Sequence, residues 1–171
     1  MSHPSWRHEL YVYDDDRTFT ERMTPFLDEG LGGEEAVVVV TDRERFDALR
    51  GAIGPSAERM AFVDRATFYT RPLAALAAYD AHVRRALRDG APAVRLFGEL
   101  PFVDTREEWD EWVAYDAILN RAFAHHPAWV VCGYDARALP AAVVEGARRA
   151  HPKTFADTSR TGTSYEDPER L

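Results

Sequence analysis

Ala36-Val37-Val38-Val39-Val40 is apolar without alternation, and four of its five residues are β-branched. That pattern marks a strand buried on both faces, which belongs to parallel sheets covered by helices on two sides. Upstream, His8 to Tyr13 suits a strand ended by Asp14-Asp15-Asp16. A helix follows from about Thr18 to Asp28, with Phe19, Met23, Phe26 and Leu27 on one face and Gly30, Gly32 and Gly33 as its stop. Downstream, Asp42 is placed to cap a helix reaching about Ala52, which Gly54-Pro55 breaks. Arg59 to Asp64 reads as a third strand, 73–89 as a helix, and Val94 to Phe97 as a fourth strand stopping at Gly98-Glu99. A long helix spans about Arg106 to His125, with Asp104 as its cap. Ala128 to Cys132 is a fifth strand ended by Gly133-Tyr134-Asp135, and 140–150 a last helix. Five β-α repeats predict an α/β, three-layer fold, with a mostly parallel sheet of five or slightly more strands. The folded domain is expected over 6–152, with 153–171 as a polar tail or linker.

Composition narrows the function. Of 21 basic residues only Lys153 is lysine, and the formal net charge is −8, which argues against direct nucleic-acid binding. Cys132 is the only cysteine, so neither an intrachain disulfide nor a multi-cysteine metal site can form. No apolar run approaches the ~18 residues of a membrane helix. Met1 to Ser5 lacks the basic and apolar regions of a secretion signal, so a cytoplasmic, membrane-free protein is expected.

Ligands of open α/β sheets bind beyond the carboxyl ends of the strands. The first β-α turn there, Tyr13 to Thr18, holds three Asp and no Gly, which excludes a phosphate-cradling loop; no cofactor is expected. Asp after a strand most simply caps the next helix. Glu99 differs, because it ends an apolar strand and would be desolvated there. A partner among Arg95, Arg71 and Arg121 would make it structural instead. Cys132 reads either as a small core residue or as a pocket-lining thiol. His8 suits a solvated strand start, while His125-His126 and His151 follow helices and complement their dipoles. Trp109 and Trp112 share a helix face, as core or as an aromatic wall. No local arrangement marks a nucleophilic triad or a paired-carboxylate enzyme.

The spacing of His8, Tyr13-Asp14-Asp15, Phe26 and Gly30-Leu31 resembles the MEDS sensory domain family, named for methanogens, methylotrophs and a dichloromethane-responsive regulator. Gly98-Glu99, Tyr115 to Asn120, Cys132 to Ala136 and Ala147 to Pro152 extend the resemblance over roughly 8–152. It implies His8, Tyr13, Glu99, Asn120, Cys132, Tyr134 and His151 as motif residues; Asp116 stands where many relatives carry Glu. It also implies a RecA-like scaffold without a P-loop. A strand order of 5-1-4-3-2 would set strand one between strands four and five. Tyr13, Asp14, Glu99, Cys132, Tyr134 and Asp135 would then converge at one carboxyl edge. His8 would lie ~16 Å from Tyr13 at about 3.3 Å per residue, outside that pocket.

What the resemblance implies is a non-enzymatic sensory domain binding a small, weakly polar hydrocarbon derivative. Tyr13, Asp14, Glu99, Asn120, Cys132, Tyr134 and Asp135 are the expected ligand residues, with His8, Asp116 and His151 as motif residues without a role; no metal is expected. The expected partner is a histidine-kinase-like or sigma-pathway regulatory protein reached in trans, as in anti-sigma-factor control of transcription. A ligand-free interaction module or homodimer, exposing an apolar patch around Trp109 and Trp112, is the alternative. A metal-dependent hydrolase using Asp14, Asp15 and Glu99 is a third reading.

Overall fold

A computed structural model describes residues 6–100 and 105–155. The strands are β1 (Arg7–Tyr13), β2 (Ala36–Thr41), β3 (Ala61–Asp64), β4 (Val94–Glu99), β5 (Ala128–Asp135) and β6 (Lys153–Thr154). The helices are α1 (Asp16–Gly32), α2 (Arg43–Ile53), α3 (Arg65–Phe68), α4 (Pro72–Arg88), α5 (Arg106–Ala122) and α6 (Ala141–Ala150). All strand pairings are parallel, in the order β3-β2-β4-β5-β1-β6. The α/β, three-layer architecture read from the sequence is the one observed.

The valine run behaves as its composition requires. Val37 and Val39 face a core built with Phe19, Met23, Phe26 and Leu27 of α1 and Phe46 and Leu49 of α2. Val38 and Val40 face the opposite core, built with Tyr79 and Val83 of α4, Trp109, Trp112 and Leu119 of α5, and Ala147 of α6. Successive side chains alternate faces, so a strand with apolar residues at every position needs a helical layer on each side.

Four expectations are corrected. β1 does not lie between β4 and β5, but between β5 and β6. β5 pairs with both β4 and β1 and so separates them, and β2 rather than β3 is the other neighbour of β4. Lys153-Thr154, in the segment read as tail, pairs with Glu9 and Leu10 as a sixth strand on the outer flank of β1. β4 and β5 also run beyond the glycines read as their ends. These glycines serve close approach rather than termination: a Cβ at Gly98 would strike the Tyr69 and Tyr79 hydroxyls, and one at Gly133 the Phe97 ring at 2.6 Å. α1 likewise passes through Gly30, where a Cβ would meet the Arg95 side chain at 2.7 Å. Finally, Trp109 and Trp112 are buried core residues and form no surface patch. Asp42 caps α2 as expected, and Asp15 caps α1. Asp104 lies outside the described residues, and Thr105 caps α5 through a capping box with Glu108.

Candidate functional site

The strand register splits the predicted site residues between two faces. Gly98 pairs with Cys132 and Glu99 with Gly133, so Glu99 and Cys132 point to opposite sides of the sheet. Tyr13 shares the α1–α2 side with Glu99, while Tyr134 shares the α5–α6 side with Cys132. One pocket lined by both Glu99 and Cys132 is therefore not formed.

On the first face, Glu99 is buried and fully engaged. Tyr13 Oη donates to it at 2.9 Å and Thr41 Oγ1 at 2.5 Å. Arg65 Nη1 lies 2.7 Å and Arg45 Nε 3.3 Å from its oxygens. Its cationic partners come from the starts of α2 and α3, not from Arg95, Arg71 or Arg121. Arg95 instead pairs with Glu29 and Glu35 at the other end of β4. Burial and the Glu99 charge push the Tyr13 phenol well up, so it remains a donor. Arg45 also stands over the Tyr13 and Phe19 rings, 5.0 and 4.7 Å from their centroids. At the rim, Arg137 holds Asp16 and Asp135 at 2.8 and 2.7 Å and keeps both carboxyls below the usual carboxylate range. Asp14 is exposed, and the Asp15 carboxylate accepts the Thr18 N–H at 2.7 Å. The tri-aspartate is thus a surface residue at Asp14, a helix cap at Asp15 and an ion-pair partner at Asp16.

On the second face, six motif residues from four parts of the chain meet in a closed cluster. His8 faces inward from β1, with Nδ1 3.0 Å from Asn120 Oδ1 and Nε2 3.2 Å from Cys132 Sγ. Cys132 Sγ lies 3.7 Å from Asp116 Oδ1, and the Tyr134 hydroxyl donates to Asp116 Oδ2. His151, just after α6, has Nδ1 2.7 Å from the Ala147 carbonyl and Nε2 3.7 Å from Asp116 Oδ2. Its ring centroid is 4.2 Å from that of His8. His8, Asp116, Cys132, Tyr134 and His151 are all buried. Burial pushes the His8 imidazole well down, and the neighbouring His151 ring acts in the same direction. Burial pushes the Asp116 carboxyl and the Cys132 thiol up, so water exclusion favours the neutral form of each. His8 is neither solvated nor remote from the other motif residues, because β5 sits directly beside β1: His8 pairs with Val130, and Cys132, two positions further along β5, points to the same face within reach of the His8 ring.

A third feature was not foreseen. A largely apolar cleft of about 590 Å³ lies between the start of α4 and α5, lined among others by Pro72, Ala74, Leu76, Ala114 and Tyr115. Leu73 and Ile118 on its rim are 75% and 46% exposed, large apolar side chains left in water. The buried Tyr115 hydroxyl finds no hydrogen-bond partner among the described residues. Leu73 and Leu76 share the apolar helical spacing of residues 73–89, and spacing cannot tell a residue facing a cleft from one facing the core.

No helix among the described residues is long and apolar enough to cross a membrane. The family model described as the methanogen/methylotroph, DcmR sensory domain, MEDS, matches residues 7–152. No curated protein and no solved structure matches the chain.

Proposed function

The chain belongs to the MEDS sensory domain family, and from that premise we propose a non-enzymatic receptor for a small, weakly polar molecule held in the α4–α5 cleft. The observation that carries this reading is the cleft itself: about 590 Å³, mostly apolar, with the unpartnered Tyr115 hydroxyl in its lining residue set. Apolar walls with a few polar groups suit a ligand of hydrocarbon character bearing one acceptor or donor. The carboxyl edge suits such a ligand poorly, because Glu99 is already saturated by two guanidinium groups and two hydroxyls. Tyr115 adjoins Asp116 in α5, so occupancy of the cleft bears on the helix that closes the buried cluster. A signal follows only if the ligand binds one conformation of that helix more tightly than another. A regulatory protein acting in trans would read the difference.

Calorimetry and thermal unfolding with short alcohols, ketones and chlorinated hydrocarbons test the reading. Stabilisation by at least one class is expected, and Ala114→Trp, which fills the cleft from an exposed position, should abolish it. Absence of stabilisation by every class, or stabilisation unchanged in Ala114→Trp, overturns it. Leu73 and Ile118 favour a second reading, in which the cleft seats an apolar side chain of a partner or of another copy. Under that reading Leu73→Glu changes the oligomeric state in sedimentation while small molecules have no effect.

A further inference from the structure

We propose that His8, Asp116, Cys132 and His151 form a buried binding site for one divalent metal ion of borderline softness, with zinc as the ion best matched to the donor set. Each residue offers one ligand atom, and all four atoms lie within 4.8 Å of one another. The site stands apart from the α4–α5 cleft, whose lining includes none of these four residues.

The hydrogen bonds around the cluster fix which atoms face inward. Asn120 Nδ2 donates to the Ala150 carbonyl at 3.0 Å, which turns Oδ1 toward His8 Nδ1. An amide oxygen only accepts, so Nδ1 carries the His8 proton and Nε2 presents a bare lone pair toward Cys132. His151 repeats the device with a backbone carbonyl: Nδ1 donates to Ala147, so that in the neutral imidazole Nε2 is a lone pair toward Asp116. Two imidazole lone pairs, a sulfur and a carboxylate oxygen therefore converge on one point. A metal-binding histidine has this environment, with its outer nitrogen donating to a carbonyl or carboxylate that sets tautomer and ring direction.

A dry polar network without an ion accounts for less. The thiol proton satisfies His8 Nε2 at 3.2 Å or Asp116 at 3.7 Å, but not both and not His151. His151 Nε2 is buried and has no hydrogen-bond partner among the described residues. A buried acceptor without a donor is destabilising, so an ion-free network with a neutral His151 leaves this atom unsatisfied. A divalent ion satisfies all four atoms at once, and its two positive charges balance one thiolate and one carboxylate. Binding releases the thiol proton. Neighbouring donors around tetrahedral zinc lie about 3.3–3.7 Å apart, given Zn–N near 2.0–2.1 Å and Zn–S near 2.3 Å. Cys132 Sγ lies 3.2 Å from His8 Nε2 and 3.7 Å from Asp116 Oδ1, close to this range, and with all four donor atoms within 4.8 Å of one another the widest pair needs to close by only about 1 Å.

The test uses the full chain, stripped of metal by chelator and titrated with Zn2+ against a chromogenic competitor, then with Co2+ as a spectroscopic probe. One equivalent of Zn2+ per chain is expected, with a rise in Tm. Bound Co2+ should give the intense visible bands of a tetrahedral ion together with thiolate-to-cobalt charge transfer. Cys132→Ser should remove the charge transfer and weaken zinc binding at least tenfold. Asn120→Ala, which frees His8 to rotate, should weaken it by about 10–100-fold while keeping the thiolate signature. Failure of the stripped, folded chain to bind zinc overturns the site. So does binding at undiminished strength in Cys132→Ser, which marks a surface ion only. If Cys132→Ser does not fold, the wild-type cobalt spectrum decides, and a bound Co2+ without thiolate charge transfer overturns the site.

Discussion

Glu99 and Asp116 are both buried carboxylates near the carboxyl end of the sheet, one on each face, and the protein treats them in opposite ways. Glu99 receives two hydroxyl hydrogen bonds and two guanidinium groups, so its charge is matched by residues of its own chain. Asp116 accepts from one hydroxyl and one thiol and has the His151 ring 3.7 Å away, with no permanently charged partner within ion-pair distance among the described residues. Arginine reaches Glu99 because α2 and α3 start at the sheet edge. There a long side chain can keep part of its head in water while its stem is covered. Asp116 lies in the middle of α5 under α6, where an arginine would have to be desolvated whole. A buried carboxylate at the rim is closed by protein cations; one in the interior is left to a proton or to an ion from outside.

The largest effect that can break this contrast comes from Glu99→Gln. It leaves Arg45 and Arg65 facing a neutral amide and should lower unfolding free energy by about 2–4 kcal/mol in urea titrations. Arg65 is 29% exposed, so a loss well under 1 kcal/mol would mean that it swings into solvent and that the ion pair is dispensable. Tyr134→Phe should cost about 1–3 kcal/mol, because Asp116 loses its hydroxyl donor in a site that water does not reach. If zinc restores part of that loss, the interior carboxylate is confirmed as the one that depends on an external cation. Thr41→Val removes one of four partners from Glu99 and should cost only about 1 kcal/mol by the same measurement.

The smallest expected effect is at the rim. Asp16 and Asp135 have folded-state pKa values held down by Arg137, so their contribution is complete above the unfolded carboxylate value, about 3.9. It is lost as pH falls through the lowered folded values. Urea midpoints measured from pH 5 to 3 should therefore fall more steeply in the wild type than in Arg137→Ala. Equal slopes would show that the exposed pairs are screened into insignificance.

Much of the fold was legible along the chain because its strands and helices are locally consistent. The valine run, the Phe19–Leu27 stripe of α1 and the Asp42 cap each carry their own signal. α3 and β6 were missed because four and two residues are too short to show any period. The ends of β4 and β5 were misplaced because a glycine that admits a tyrosine hydroxyl or a phenylalanine ring looks, in sequence, like one that ends a strand. Glu99 and Cys132 were singled out as groups that a strand end would bury, while His8 was read as solvated and His151 as a helix-end residue, and the expected grouping at one carboxyl edge does not form. Glu99 and Cys132 stand at strand ends that read alike, and only register shows that one residue of offset sends them to opposite faces.

Residue order alone settled the five longer strands and the five longer helices, that the sheet is mostly parallel and covered on both sides, and that no phosphate loop follows β1. Those properties depend on side chains a few positions apart, whose hydrophobic period and turn chemistry are local. The meeting of His8, Asp116, Cys132 and His151 depends on something else: β5 and β6 flank β1, and α6 delivers His151 against α5. His8 and Cys132 are separated by 124 positions and joined at 3.2 Å. Contacts of that range are products of strand order and register, which the burial of whole faces decides and no local period encodes.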